Sequence, residues 1–148
     1  MTGILDHLEQ GAEVFTRTVA LSRDRLVRYA AASGDFNPIH YNDTVATSVG
    51  LPGVIAHGML TMGLAGSVLT DWLESLAPGG AARVRRYGTR FSRPIPVPAT
   101  GEVELTVTGT VGALDADVDG VPCVRIDLRA QAAGVTVLAK AQVFVSRA

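Results

Sequence analysis

Asp35 and His40 stand five positions apart in Gly34-Asp35-Phe36-Asn37-Pro38-Ile39-His40. A carboxylate and an imidazole that meet in one small volume can give and take protons in the same reaction. Whether they meet depends on the backbone between them. Pro38 fixes its own φ and pushes Asn37 out of the helical region, so one helix cannot run through the whole stretch. Five residues of helix would splay the two side chains apart, whereas a turn can bring them together. The same residues also suit a plainer role, a helix end with Asp35 capping the turn and His40 as a satisfied polar group.

The flanking elements must set that turn in place. Glu13 to Leu21 is rich in β-branched and aromatic residues and reads as a first strand. Ser22 is a good N-cap for a helix through Arg23 to Ala32, and Gly34 is placed to end it. A short helix from Asn42 to Val49 follows, closed by Gly50-Leu51-Pro52-Gly53. The longest helix is expected from about Gly58 to Ser75, ending before Pro78-Gly79-Gly80. Met59, Leu60, Met62, Leu64, Val68, Leu69, Trp72 and Leu73 make it apolar nearly all round, so it should be enclosed rather than laid on a surface.

Four strand-like runs come next, Ala82 to Phe91, Gly101 to Val111, Pro122 to Ala132 and Val135 to Ser146. Val103, Leu105 and Val107 alternate with Glu102, Glu104 and Thr106, and Val124, Ile126 and Leu128 with Arg125, Asp127 and Arg129. A period of two gives a sheet with one dry face. Asp115 to Gly120 reads as a polar hairpin connection and Ala133-Gly134 as a tighter one. The expected class is α+β, one domain over residues 1–148, with an antiparallel sheet wrapped around the long helix.

Composition narrows the function. With 47% apolar but 5% aromatic residues, the core must be mostly aliphatic. A net charge of −1 offers no concentrated positive field for nucleic acid or an anionic membrane. The N-terminus has no signal-peptide pattern, and Val54 to Leu73, the most apolar window, is interrupted by His57, glycines, hydroxyls and Asp71. Cys123, a lone cysteine in a strand-like context, fits a small core residue of a cytoplasmic protein.

Tyr29-Ala-Ala-Ala-Ser-Gly-Asp-Phe-Asn-Pro-Ile-His40, with Ala46 beyond it, resembles the hydratase-2 motif of the MaoC-like family of (R)-specific enoyl-CoA hydratases and (3R)-hydroxyacyl-thioester dehydratases. Ile55-Ala-His-Gly-Met-Leu60 and Arg90-Phe-Ser-Arg-Pro-Ile95 resemble two further segments of that family in type and order. Ala56 to Gly63 most resembles the B subunits of actinobacterial (3R)-hydroxyacyl-ACP dehydratases. The resemblance implies a hotdog fold, a subunit that pairs as a homodimer or with another hotdog chain, and an acyl-CoA or acyl-ACP thioester as substrate. It implies no cofactor and no metal.

It also implies roles for residues. Asp35 and His40 would hold the water or leaving hydroxyl between them and share the two proton transfers; the sequence leaves open which of them serves the α-carbon, and we favour Asp35 there and His40 at the β-oxygen. Imidazole changes charge in the physiological range and so serves either direction. Gly58, at the start of the long helix, would offer its backbone N–H to the thioester oxygen, where unpaired amides and the helix dipole favour negative charge. Asn37 would tie down the turn and steady the water, and Leu60, Met62 and Phe91 are candidate walls of the acyl tunnel. Gly66 stands where some relatives carry a serine, which suggests extra acyl room. His57 reads as a structural histidine. The arginines at 83, 85, 86, 90 and 93 suit a solvated face or the attraction of coenzyme A phosphates or an acidic carrier protein. Competing readings are a hotdog subunit that depends on a second chain for activity, a thioesterase, and a metal site from Asp35, His40 and His57.

Overall fold

A computed structural model describes residues 3–147. Strand β1 (Glu13–Leu21) leads to helix α1 (Arg23–Ser33), a 3-10 turn at Pro38–His40, α2 (Asp43–Ser48) and the long α3 (Gly58–Leu76). A second 3-10 turn at Gly80–Arg83 precedes β2 (Val84–Phe91), β3 (Val103–Val118), β4 (Val121–Ala132) and β5 (Val135–Ser146). The strands form one sheet in the order β1-β3-β4-β5-β2, each pair antiparallel.

Local chemistry accounts for most boundaries. Ser22 caps α1 by accepting the Arg25 N–H at 3.4 Å. Gly34 ends it at φ 76°, a left-handed conformation that glycine adopts without steric cost, and its N–H donates to the Ala30 carbonyl at 2.9 Å. Alternation on the strands puts Leu105, Val107 and Val111 of β3 beside Val124, Ile126 and Leu128 of β4, all buried, on the side where Leu69 and Leu73 of α3 join the same core.

Three sequence expectations are corrected. The connection between β3 and β4 is not the six-residue stretch 115–120 but Asp119-Gly120 alone, both at positive φ. That is the conformation a two-residue hairpin turn demands, and it lets Ala116, Asp117 and Val118 stay paired with Cys123, Pro122 and Val121. The strand expected from Ala82 starts at Val84 because Gly80 presses against α3, where a Cβ would lie 2.2 Å from the Leu73 carbonyl oxygen. Within this chain α3 is not fully enclosed. Met59, Gly63, Ser67 and Asp71, four residues apart, form an exposed stripe along it, and Met59 is 57% exposed. Counting apolar residues concealed that stripe because two of its members are small or weakly polar.

Behind the Asp35 turn, Arg23 joins segments distant in sequence. Its Nε–H donates to the Val97 carbonyl at 2.7 Å and its guanidinium forks onto the Asp43 carboxylate at 2.9–3.2 Å. Asp43 also accepts the Val54 N–H at 2.9 Å, and these partners hold its carboxyl below the usual carboxylate range, the Arg23 hydrogen bond most of all. Among the described residues no helix is long and apolar enough to cross a membrane.

Truncating α3 on its buried side should be far more damaging than on its exposed stripe. Leu69→Ala should cost about 2–5 kcal/mol in urea unfolding, and Ser67→Ala should stay within about 0.5 kcal/mol of the parent.

Candidate active site

The Asp35 turn is built from interlocking short bonds. The Asp35 N–H donates to Ser33 Oγ, Asp35 Oδ1 accepts the Asn37 N–H, and Asn37 Oδ1 accepts the Ile39 N–H, each at 3.2 Å. One carboxylate oxygen of Asp35 is therefore spent on the turn. The other, Oδ2, lies 4.0 Å from His40 Nε2. His40 is buried, and its Nδ1 sits 2.7 Å from the Ile55 carbonyl oxygen. A carbonyl can only accept, so Nδ1 carries the hydrogen and neutral His40 turns a bare Nε2 lone pair toward Asp35. A separation of 4.0 Å is too long for a direct hydrogen bond, but an oxygen about 2.8 Å from both atoms fits between them.

His40 also lines a cavity of about 320 Å³, with Gly58, Thr61, Phe91, Arg93 and Leu138 among its other walls. Gly58 is the first residue of α3, where the N–H has no carbonyl one turn back, and His57 before it makes no side-chain cap. Glycine at this position accommodates the Phe91 ring, whose Cδ1 would lie 3.1 Å from an added Cβ. Phe91 is 55% exposed, so its ring is not held on every side by this chain.

The remaining candidates fall elsewhere. Leu60 points into the core, Met62 offers its backbone carbonyl to the Tyr87 hydroxyl at 2.9 Å, and the Asn37 amide oxygen is used within the turn. None of these three lines the cavity, whereas Thr61, which sequence reasoning passed over, does. The helical period explains Thr61 and Leu60, since position 61 lies one turn on from 58 on the same face whereas 60 is nearly opposite. The arginines are dispersed. Arg93 reaches the cavity, Arg83 donates to the Arg147 carbonyl, and Arg86 lies 3.9 Å from Asp119 and over the Phe144 ring.

His57 belongs to the site more closely than its sequence context suggested. It is 1% exposed, its Nε2–H donates to the Asp35 carbonyl at 3.1 Å, and its ring stacks on His40 with centroids 3.8 Å apart. Burial lowers its pKa from the usual imidazole value. Adjacency to Gly58 in Ala-His-Gly was the available signal, but nothing in the sequence showed where the ring would lie. Asp35, His40 and His57 bring ligand-type atoms within 4.8 Å of one another. The two imidazoles, however, are nearly parallel, at 24°, and each already gives one nitrogen to a carbonyl. Stacked rings direct their in-plane lone pairs side by side rather than to a common point, an arrangement unsuited to a shared ion.

A five-stranded antiparallel sheet packed on one long helix, with an Asp–His turn beside that helix's N-terminus, defines a hotdog-fold protein with a candidate acid/base site. The family model described as a MaoC like domain matches residues 8–127, and the chain belongs to that family. It is 45% identical over 76 residues, 51% of its length, to 3-hydroxyacyl-thioester dehydratase X of Mycobacterium tuberculosis, of which the match covers 24%. It is 32% identical over 110 residues to the (R)-specific enoyl-CoA hydratase of Rhodospirillum rubrum, covering 73% of this chain and 74% of that protein. A solved MaoC-like dehydratase superposes with a TM-score of 0.87 at 34% identity, over 99% of this chain and 43% of the other. The chain thus spans about a quarter of the first relative and under half of that solved structure.

Gly66 does not leave open space for an acyl chain. An added Cβ there would meet Tyr87 Cε1 at 3.0 Å, so the tyrosine ring occupies the room beside the helix. Burial pushes the Tyr87 hydroxyl up to about 12, which keeps it a neutral donor. Gly66→Ser should therefore destabilise by about 1–3 kcal/mol through overpacking. In a Tyr87→Ala background the same serine should cost almost nothing, a coupling that thermal unfolding of the four-member mutant cycle measures.

Proposed function

We propose that this chain adds water to trans-2-enoyl thioesters to give (3R)-3-hydroxyacyl thioesters, or runs the reverse dehydration. The observation that carries this reading is the 4.0 Å interval between Asp35 Oδ2 and His40 Nε2, with His40 itself in the wall of a cavity that also includes the N-terminus of α3. The names of the two curated relatives support the substrate class and the stereochemistry.

In dehydration, the Asp35 carboxylate removes the α-proton while imidazolium His40 protonates the departing β-hydroxyl, which leaves as water. In hydration the roles reverse. Neutral His40 takes a proton from the water as its oxygen attacks the β-carbon, and protonated Asp35 delivers a proton to the α-carbon. Both directions place negative charge on the thioester oxygen, and the Gly58 N–H is the donor assigned to it. Phe91 would shift from Gly58 as the thioester enters, and Arg93 is the cation available to a phosphate of the carrier.

A second reading, in which another hotdog chain completes the site, is favoured by apolar side chains left uncovered beside it. Phe36, Tyr41 and Val27 are 61%, 53% and 59% exposed and line a hollow that His40 also borders. A homodimer would satisfy the same surface, and either assembly fits acyl-CoA or acyl-ACP as substrate.

Hydration of crotonyl-CoA and longer trans-2-enoyl-CoA thioesters tests the proposal. Asp35→Asn and His40→Ala should each lower kcat by about 100- to 10,000-fold. Gly58→Pro removes the N–H at a helix position where proline is tolerated, and Gly58→Ala presents a similar Cβ to Phe91 while keeping the N–H. The proline variant should lose kcat well beyond the alanine variant. Inactivity of the purified wild type on every chain length, with activity appearing on co-expression with a second hotdog chain, would replace the self-sufficient enzyme with the two-chain one.

A further inference from the structure

We propose that His57 is a positioning residue for the Asp35–His40 pair, holding Asp35 by its backbone through the Nε2–H bond and holding the plane of the His40 ring through the stack. The inference rests on the hydratase reading above. Asp35 lies between α1 and the 3-10 turn, and its side chain is 51% exposed, so packing does little to fix it. Its bonds to Ser33 and Asn37 come from two residues away on the same segment, whereas His57 reaches it from 22 residues on. His40 has its own unresolved freedom. The single bond from Nδ1 to Ile55 O leaves the ring able to swing about that axis, and a second ring face-on at 3.8 Å removes the swing. The same histidine thus constrains both ends of the 4.0 Å interval.

A merely structural residue at this place would do something else. The residue before a helix normally uses its side chain to accept an N–H of the first turn. His57 makes no such cap. Its Nε2–H goes instead to Asp35, which leaves Nδ1 as a buried lone pair without a partner among the described residues. Such an atom is costly to keep. Tyr29 of α1 packs edge-on against the ring at 4.8 Å and braces its orientation, and the Thr61 hydroxyl of α3 donates to the His57 carbonyl, which ties the residue's backbone to the helix.

Charge follows from this placement. The groups that face His57 are Asp35 and His40 from the turn, Tyr29 from α1 and the uncharged Thr61 from α3. Burial is the largest influence and disfavours the imidazolium; the bond to Asp35 opposes it and the neighbouring His40 adds to it. His57 therefore stays neutral while His40 cycles, and does not compete for the substrate's proton. Because the unfolded chain binds this proton more readily, His57 subtracts stability as pH falls below its ordinary value of 6.5, and subtracts nothing above it.

Two variants separate the contributions. His57→Phe keeps a ring for the stack and loses the donor; His57→Gln keeps an amide donor and loses the ring. Each should lower kcat by about 10- to 100-fold with KM changed less than about threefold. His57→Phe should also flatten the fall in thermal stability below pH 6.5. Long-range proton–nitrogen NMR of the wild type at neutral pH should show His57 in the Nε2–H form and His40 in the Nδ1–H form. A folded His57→Phe with wild-type kcat, a loss confined to KM, or His57 found as the other tautomer or as imidazolium overturns the inference. A wild type inert on all thioesters overturns the hydratase reading instead, and the tautomer and pH-stability measurements then still decide the role of His57.

Discussion

An aspartate oxygen and an imidazole nitrogen 4.0 Å apart can share one oxygen atom between them, and closing or widening that interval would end the sharing. The interval exists because α1 cannot continue. Gly34 takes the left-handed conformation, Pro38 forbids a helical residue before it, and the chain between them is tied by side chains bonding to amides two residues on. Asp35 thereby has one oxygen committed to the turn and one directed at His40. That asymmetry follows from geometry and requires no unusual charge.

The larger fold supplies what a turn cannot. A 19-residue helix buried on one side by the sheet brings its N-terminus to the cavity, and the residue just before it closes back on the turn. Ile55 and His57 flank Ala56, whose N–H donates to the Ile95 carbonyl at 2.9 Å, so the segment that orients the imidazole is fixed to the strand-like stretch carrying Arg93 and Ile95. Arg23 and Asp43 fasten the neighbouring loop from the other side, to Val97 and Val54. Each tie is modest, and the exposed carboxylate of Asp43 makes its ion pair salt-sensitive. Together they give a half-exposed aspartate a defined partner distance without burying it.

Elements with a strong local signal were legible in the sequence. Ser22 and Gly34 bounded α1, the Asn-Pro turn broke the chain where it had to, and alternation in β3 and β4 identified the dry face. Asp35, His40 and Gly58 could be proposed because the Asn-Pro turn and the helix start mark their backbone setting and the family resemblance attaches roles to those positions. What the sequence did not reveal depended on where a side chain points once the helix is docked. Leu60 and Met62 looked as apolar as Thr61 looked polar, yet Thr61 faces the cavity. Asp115 to Val118 looked like a loop because their composition is polar, although Asp119-Gly120 already contained the complete turn. Gly66 suggested space that Tyr87, 21 positions later, fills.

The exposed apolar surface bears on how much of the site one chain can define. Isolated exposed hydrophobics are ordinary, but Val27, Phe36 and Tyr41 are grouped about a hollow that shares His40 with the cavity at the start of α3, and Met59 and Phe91 are exposed beside it. Water at Asp35 would weaken every electrostatic contribution to proton transfer, because charges act far less strongly in a high-dielectric medium. His40, His57 and the Gly58 amide are already withdrawn from solvent by this chain or sit at its cavity wall, whereas the Asp35 side chain is half open. The Asp35–His40 spacing is thus intrinsic to the monomer, and, for the proposed reaction, dryness is the property a second subunit or the substrate's own acyl chain would have to supply.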